Sequence, residues 1–265
     1  MEIHDAVVVV TGGASGIGAA LARRFHGDGA RHVVVVDRDA DGARAVAAEV
    51  GGVAEQVDVA DADAVAALVT RTLDREGRID LFCSNAGRTT GVGVASPELW
   101  QAAWDLNVMA HVHAARAVLP AMLERGRGHL LQTASAAGLL TSPGDAPYAV
   151  TKHGAVAFAE WLAVTYGDRG IGVSVLCPMG VSTPLLMDPL AAGEAGAQAV
   201  AASGDIVSAE HVADVVAAGL AGDRFLLLPH PEVGTFWAQK ASSPDRWLAG
   251  VRRLVSTDRS DNEER

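Results

Sequence analysis

Short strand-like segments recur along this chain at 6–10, 32–36, 54–59, 79–84, 129–134, 172–177 and 225–228. The first, Ala6 to Val10, is wholly apolar and largely β-branched rather than alternating, the pattern of a strand covered on both faces of a parallel sheet. Between them lie stretches with apolar positions at helical spacing. Val65, Leu68, Val69 and Leu73 form such a stripe within 62–75, and comparable patterns cover 19–25, 43–50, 97–124, 147–167 and 209–220. Strand and helix alternate throughout, which predicts an α/β fold with a doubly wound parallel sheet and right-handed crossovers. In such sheets ligands lie beyond the carboxyl ends of the strands, so the loops after 10, 36, 58 and 84 face one crevice. The 184–204 segment is alanine-rich and loosely patterned, like a mobile lid. Phe236, Trp237, Trp247, Leu248, Val251 and Leu254 suggest short amphipathic helices at the domain edge, and 256–265 reads as a frayed polar tail. No tandem repeat or linker divides the chain, so residues 1–255 are expected to form one domain.

The chain's 265 residues can build a core without disulfides or metals, and 49 % of them are hydrophobic. Lys plus Arg is 21 against 32 Asp plus Glu, a net charge of −11 that argues against nucleic acid and against a polybasic membrane anchor. Cys83 and Cys177 are far apart, in no metal spacing, and each ends a predicted strand, so buried reduced thiols are expected. His111 and His113 point to different faces of a helix, which disfavours a metal pair, and no metal is expected. The polar start, Met1 to Asp5, lacks the basic and apolar regions of a secretory signal, and no apolar run reaches bilayer-spanning length. A soluble, cytoplasmic protein is the expectation.

The chemistry starts after the first strand. Gly12, Gly16 and Gly18 lie between strand and helix, where glycines admit close approach of a pyrophosphate and the helix N-terminus offers free N–H groups. The spacing differs from G-x-G-x-x-G. Asp37 ends the second strand, placed to accept hydrogen bonds from an adenosine ribose and to repel a 2′-phosphate. NAD is therefore favoured over NADP, although Arg38 and Arg24 weaken the preference. Tyr148 and Lys152 are four residues apart and share a helix face. Bringing a phenol from about 10 to near 7 costs roughly 4 kcal/mol. One cation at about 4 Å supplies roughly that amount at an effective dielectric of about 20. Lys152 is thus expected to lower the Tyr148 pKa. Ser135 ends another strand, 13 residues before Tyr148, and Asn107 is a polar residue in an otherwise apolar helix.

The 11–18 turn, Asp58, Asn85-Ala86-Gly87, Asn107, Ser135, Tyr148-x-x-x-Lys152 and the segment from Pro178 to Thr183 together resemble the classical short-chain dehydrogenase/reductase family over residues 6 to 228. The resemblance implies a Rossmann-type doubly wound fold with a seven-stranded parallel sheet flanked by helices, and a homodimer or homotetramer joined through the long helices 97–124 and 147–167. It implies Tyr148 as acid/base, Lys152 as the group that tunes it and holds the nicotinamide ribose, and Ser135 as the substrate-oxygen partner. Asn107 would anchor a relay water. Gly12, Ser15, Gly16, Ile17 and Gly18 would hold the pyrophosphate side of NAD. Asp58 and Val59 would flank the adenine, Asn85, Ala86 and Gly87 would line the cleft, and Val181 and Thr183 would meet the nicotinamide, Thr183 at its carboxamide. Met179 stands where the family commonly has Gly, although Gly180 follows.

The substrate expectation is a small-molecule secondary alcohol or ketone, with an apolar wall from Leu139, Leu140, Val181, Leu185, Leu186 and Met187. Arg88 could also meet an acidic group. The alternatives are an NADPH-dependent carbonyl reductase, distinguished at Asp37, and a non-catalytic nucleotide-sensing protein, distinguished by the catalytic residues.

Overall fold

The computed structural model describes residues 1–263 apart from Val92, with side chains described up to Arg253 except that of Ala195. In chain order the elements are β1 (Val7–Thr11), α1 (Gly16–Gly27), β2 (His32–Asp37), α2 (Ala40–Glu49), β3 (Val53–Gln56), α3 (Ala62–Glu76) and β4 (Leu81–Ser84). Next come α4 (Pro97–Trp104), a π-helical turn (Asp105–Met109), α5 (Ala110–Glu124), β5 (Gly128–Thr133), α6 (Ala146–Tyr166) and β6 (Ile171–Leu176). The last part holds β7 (Val181–Ser182), α7 (Pro184–Ala191), α8 (Ala195–Ala202), β8 (Val207–Ser208), α9 (Ala209–Ala221), β9 (Leu226–Leu227), α10 (Glu232–Ser242) and α11 (Pro244–Glu263).

Seven strands form one parallel sheet in the order β3-β2-β1-β4-β5-β6-β9. The order reverses at β1, whose neighbours are β2 and β4, and a crevice opens there at the carboxyl ends. Alternate residues of each strand enter two separate cores. Val8, Val10, Val33, Val35, Leu81 and Cys83 pack with α1, α2 and α9. Val9, Val34, Val36, Phe82 and Leu130 pack with α3, α5 and α6. This two-sided burial is why the central strands β1 and β2 are so rich in valine.

Several boundaries differ from the sequence expectation. β3 ends at Gln56, so Asp58 and Val59 lie in the loop beyond it, where Asp58 Oδ1 accepts from Ala60 N at 3.0 Å. The helix expected over 97–124 is interrupted at 105–109 by the π-helical turn, which inserts an extra residue around Asn107. π-Turns of this kind are frequent at functional sites. The loose lid of 184–204 is two short helices, α7 and α8, and its two ends are joined by pairing of β7 with β8. Neither ribbon strand has enough residues to leave a periodic signal. The segment read as a frayed tail continues the α11 backbone helix to Glu263, while Glu264 and Arg265 lie outside the described residues. Among the described residues no helix is long and apolar enough to cross a membrane.

Candidate active site

The crevice is a cleft of about 560 Å³. Its lower wall is the turn between β1 and α1. Gly12 and Gly16 hold φ of +64° and +52°, the left-handed region that glycine adopts without a Cβ clash. A Cβ on Gly12 would lie 2.9 Å from Ala86 Cα. The Ser15 hydroxyl makes no capping bond to α1, and the first-turn N–H groups of a helix have no intrahelical partners. An anion-binding cradle is the result. The Thr11 hydroxyl secures it to the next strand: it donates to Cys83 O at 3.2 Å and accepts from Asn85 N at 2.9 Å and Ala86 N at 3.2 Å. Asp37 is held by the same turn, its Oδ2 accepting from Ala14 N at 3.1 Å and its Oδ1 from Asp39 N at 3.0 Å. The carboxylate keeps lone pairs for a further donor.

Fifteen of the sequence-designated residues share this cleft: Gly12, Ser15, Gly16 and Ile17 from the turn; Asp37, Asp58, Val59, Asn85, Ala86 and Gly87; Ser135, Tyr148 and Lys152; and Val181 and Thr183, which close the far side. Gly18 and Asn107 lie behind its surface. A Cβ on Gly18 would approach Asn85 Nδ2 to 2.8 Å, so its role is close packing. Asn107 is fully buried, with Oδ1 accepting from Arg88 N at 2.9 Å and Nδ2 donating to Arg88 O at 2.9 Å and Thr151 Oγ1 at 3.1 Å. Its side chain is thus occupied by protein groups and clasps the loop after Gly87 to α6.

At the other wall, Ser135 leaves β5 in extended conformation, accepts from Ala137 N at 3.1 Å, donates to Pro178 O at 3.4 Å and lies on the same cleft as the Tyr148 phenol. Lys152 is only 3 % exposed and donates to Thr133 O at 2.9 Å. Gly87 leaves room for it, since a Cβ there would be 3.2 Å from both Lys152 Nζ and Asn107 Oδ1. The electrostatics correct one expectation. Burial is the largest influence on Tyr148 and pushes its phenol above the usual 10.0, with Ser135 pulling it back. The Lys152 ammonium lies 5.8 Å from the ring centroid, and its own desolvation brings it down to about 8. The cation that was to activate the phenol is itself weakened by the same burial.

The apolar wall is also partly different. Val181, Leu185 and Leu186 border the cleft with Met179 and Pro184. Leu139 packs in the core instead, and the carbonyls of Leu139 and Leu140 accept from Lys240 Nζ at 2.7 and 2.6 Å. Cys83 and Cys177 are buried free thiols, raised by burial, Cys177 to about 12.

Sequence reasoning missed Thr151, Asp145 and His230. Thr151 Oγ1 joins Asn107 to Tyr148 O. Asp145 precedes Pro147 at the start of α6, a legible N-cap signature. His230 had no such signal. It is buried, accepts from Met179 N at 3.1 Å through Nδ1 and lies 3.0 Å from Gly180 O through Nε2, holding the loop that carries Met179.

Residues 6–194 match the short chain dehydrogenase family model. A 1-deoxy-11-beta-hydroxypentalenate dehydrogenase of Streptomyces exfoliatus is 39 % identical over 246 residues, covering 88 % of this chain and 86 % of that protein. A 3beta-hydroxysteroid dehydrogenase of Eggerthella lenta is 33 % identical over 84 % of this chain and 89 % of its own length. The crystal structure of a short chain dehydrogenase/reductase from Burkholderia phymatum in complex with NAD superposes with a TM-score of 0.84 at 27 % identity, covering 91 % of this chain and 95 % of that one. With its seven-stranded sheet and the match over most of its length, this chain belongs to the short-chain dehydrogenase/reductase family and is an oxidoreductase acting on CH–OH donors with a nicotinamide cofactor.

Proposed function

We propose that the protein interconverts an apolar, cyclic secondary alcohol and its ketone with NAD(H), using Tyr148 as the acid/base. The observation that carries the reading is the convergence of Ser135, Tyr148 and Lys152 on one wall of a cleft whose opposite wall is the glycine cradle. NAD fits the residues present: the cradle has no side chain in the way at Gly12 and Gly16, and Asp37 stands at the end of β2 with acceptor capacity left. The turn at Gly12, Ser15, Gly16 and Ile17 would hold the pyrophosphate, Asp37 the adenosine ribose, and Asp58, Val59 and Ala86 the adenine. Val181, Thr183 and Lys152 would hold the nicotinamide end. When bound, the cofactor supplies the carbon centre that accepts or donates hydride.

In oxidation, Ser135 hydrogen-bonds the substrate oxygen and Tyr148 Oη takes its proton. In reduction, Tyr148 returns that proton to the carbonyl oxygen. Because burial raises the phenol, Tyr148 keeps its proton at neutral pH. Reduction is therefore supported at neutral pH, and oxidation gains as pH rises. Lys152 orients the site through Thr133 O, and Asn107 keeps the loop carrying Gly87 against α6. The apolar cyclic substrate is supported by Val181, Leu185 and Leu186 at the cleft and by the substrates named for the pentalenate and hydroxysteroid relatives. NAD over NADP rests on Asp37; the competing cation is Arg38, which borders the cleft. Pairing of two or four copies through the α4–α5 and α6 faces is part of the same proposal, supported by exposed Trp104, Val150, Trp161 and Val164.

The test is turnover of a panel of hydrophobic and small polar alcohols and ketones with NAD and with NADP, read by nicotinamide absorbance. Tyr148→Phe should lower kcat by about 10²–10⁴-fold, the usual contribution of general acid–base catalysis, while NAD still binds. Undiminished activity of that variant removes Tyr148 from the mechanism. A preference for NADP refutes the role given to Asp37, and turnover of small polyols alone refutes the substrate class.

A further inference from the structure

A helix cap needs one acceptor, and Asp145 supplies far more. It is 6 % exposed and accepts four hydrogen bonds. Oδ1 takes Tyr148 N at 3.0 Å and Thr90 Oγ1 at 2.5 Å. Oδ2 takes Thr90 N at 2.7 Å and Gly91 N at 2.8 Å. Only the first of these serves the cap of α6. The other three go to the loop that continues from Asn85-Ala86-Gly87, so one carboxylate ties the cofactor-side wall to the first turn of the helix carrying Tyr148. Backbone bonds reinforce the seam, from Gly93 N to Gly144 O at 2.6 Å and from Ala146 N to Gly93 O at 2.8 Å.

The arrangement also places a carboxylate at the start of the helix that carries the phenol, bonded to the Tyr148 backbone N–H. The groups facing Tyr148 are Ser135 after β5, Cys177 after β6, Lys152 one turn along α6, and Asp145 at its start. Asp145 is the carboxylate among them. A nearby negative charge disfavours a phenolate. We propose that Asp145 is a positioning residue for Tyr148, locking the catalytic helix to the cleft loop while its charge favours the protonated phenol. The direction of its influence on Tyr148 agrees with this, since Asp145 adds to the upward effect of burial.

The proposal rests on Tyr148 being the acid/base, and its test separates the two. The chain has two tyrosines, Tyr148 and Tyr166. In a Tyr166→Phe background, ultraviolet difference absorbance therefore follows ionisation of Tyr148 alone, without any assay of activity. Asp145→Asn removes the charge and turns an NH2 group toward one pair of donors. It should move Tyr148 ionisation, and the alkaline rise of the oxidation rate, down by about half a pH unit, as expected for loss of one charge near a partly solvated group. It should also lower the plateau kcat about tenfold through misplacement of the helix start. Thr90→Val cuts one loop bond and keeps the charge; its plateau should fall severalfold with ionisation unmoved. If Asp145→Asn does not fold, Asp145→Ser, which keeps a capping oxygen, replaces it with the same expected shift. The proposal is overturned if the Asp145 variant lowers only the thermal midpoint and moves neither ionisation nor kcat, or if Thr90→Val shifts ionisation as far as it does. Activity surviving in Tyr148→Phe would instead sink the acid/base reading while leaving the ionisation measurement intact.

Discussion

Lys152 makes the folded protein less stable than it would be with an apolar side chain in its place. The residue is 3 % exposed, and desolvation brings its pKa from 10.5 to about 8. At about 1.4 kcal/mol per pH unit, that drop corresponds to about 3 kcal/mol of unfavourable burial at neutral pH. The unfolded chain holds the proton up to its ordinary pKa while the folded chain releases it from about 8. Between these values the unfolded state binds more protons, so stability rises with pH. Lys152→Met keeps most of the buried stem and removes the charge. It also strands Thr133 O, which accepts from Nζ at 2.9 Å, a loss of about 1 kcal/mol. The net expectation is a variant about 2 kcal/mol more stable than the parent at pH 7, with the advantage disappearing and then reversing towards pH 10.5, and with dehydrogenase activity lost. Urea unfolding of both proteins at several pH values, without added nucleotide, reads this directly. A variant less stable than the parent at pH 7, or a stability difference independent of pH, refutes the reasoning. Under the role proposed for Lys152, this is stability given up at a site for function.

Two further predictions concern groups outside that pair. His111 and His129 are buried and lowered to about 3 and about 4 by desolvation, so they are neutral in the folded state and must gain protons on unfolding. Each should cost stability as pH falls below 6.5, by about 1.4 kcal/mol per unit, down to about 4 for His129; in urea unfolding, His129→Gln should flatten the slope between pH 6.5 and 4, and an unchanged slope would refute the assignment. Gly12→Ala places a side chain in the left-handed region, at a cost of about 1–2 kcal/mol, and its Cβ meets Ala86 Cα at 2.9 Å. Thermal denaturation should show a loss of that order, and calorimetric titration an NAD affinity at least tenfold weaker; normal NAD binding would contradict the cradle.

Much of this molecule was legible before folding. The valine runs of β1 and β2 announce strands covered on both faces, and the glycines between β1 and α1 announce close backbone approach, because both are properties of residue type and local spacing. The same holds for Tyr148 and Lys152, one helical turn apart, and for Asp37 at a strand end. Other features depend on which distant segments meet. The two-residue strands β7 and β8 exist only because they pair with each other across the lid. The π-turn at Asn107 accompanies a clasp between Arg88 and Thr151, which lie on separate elements. Electrostatics was the least legible part. Spacing placed a cation near a phenol, but the sheet and α6 buried both, and desolvation became the largest influence on each. The sequence thus determined the fold class and the cast of the cleft through local pattern. Tertiary packing alone decided how wet each group is and which loop oxygens it meets, and therefore which protonation state it holds.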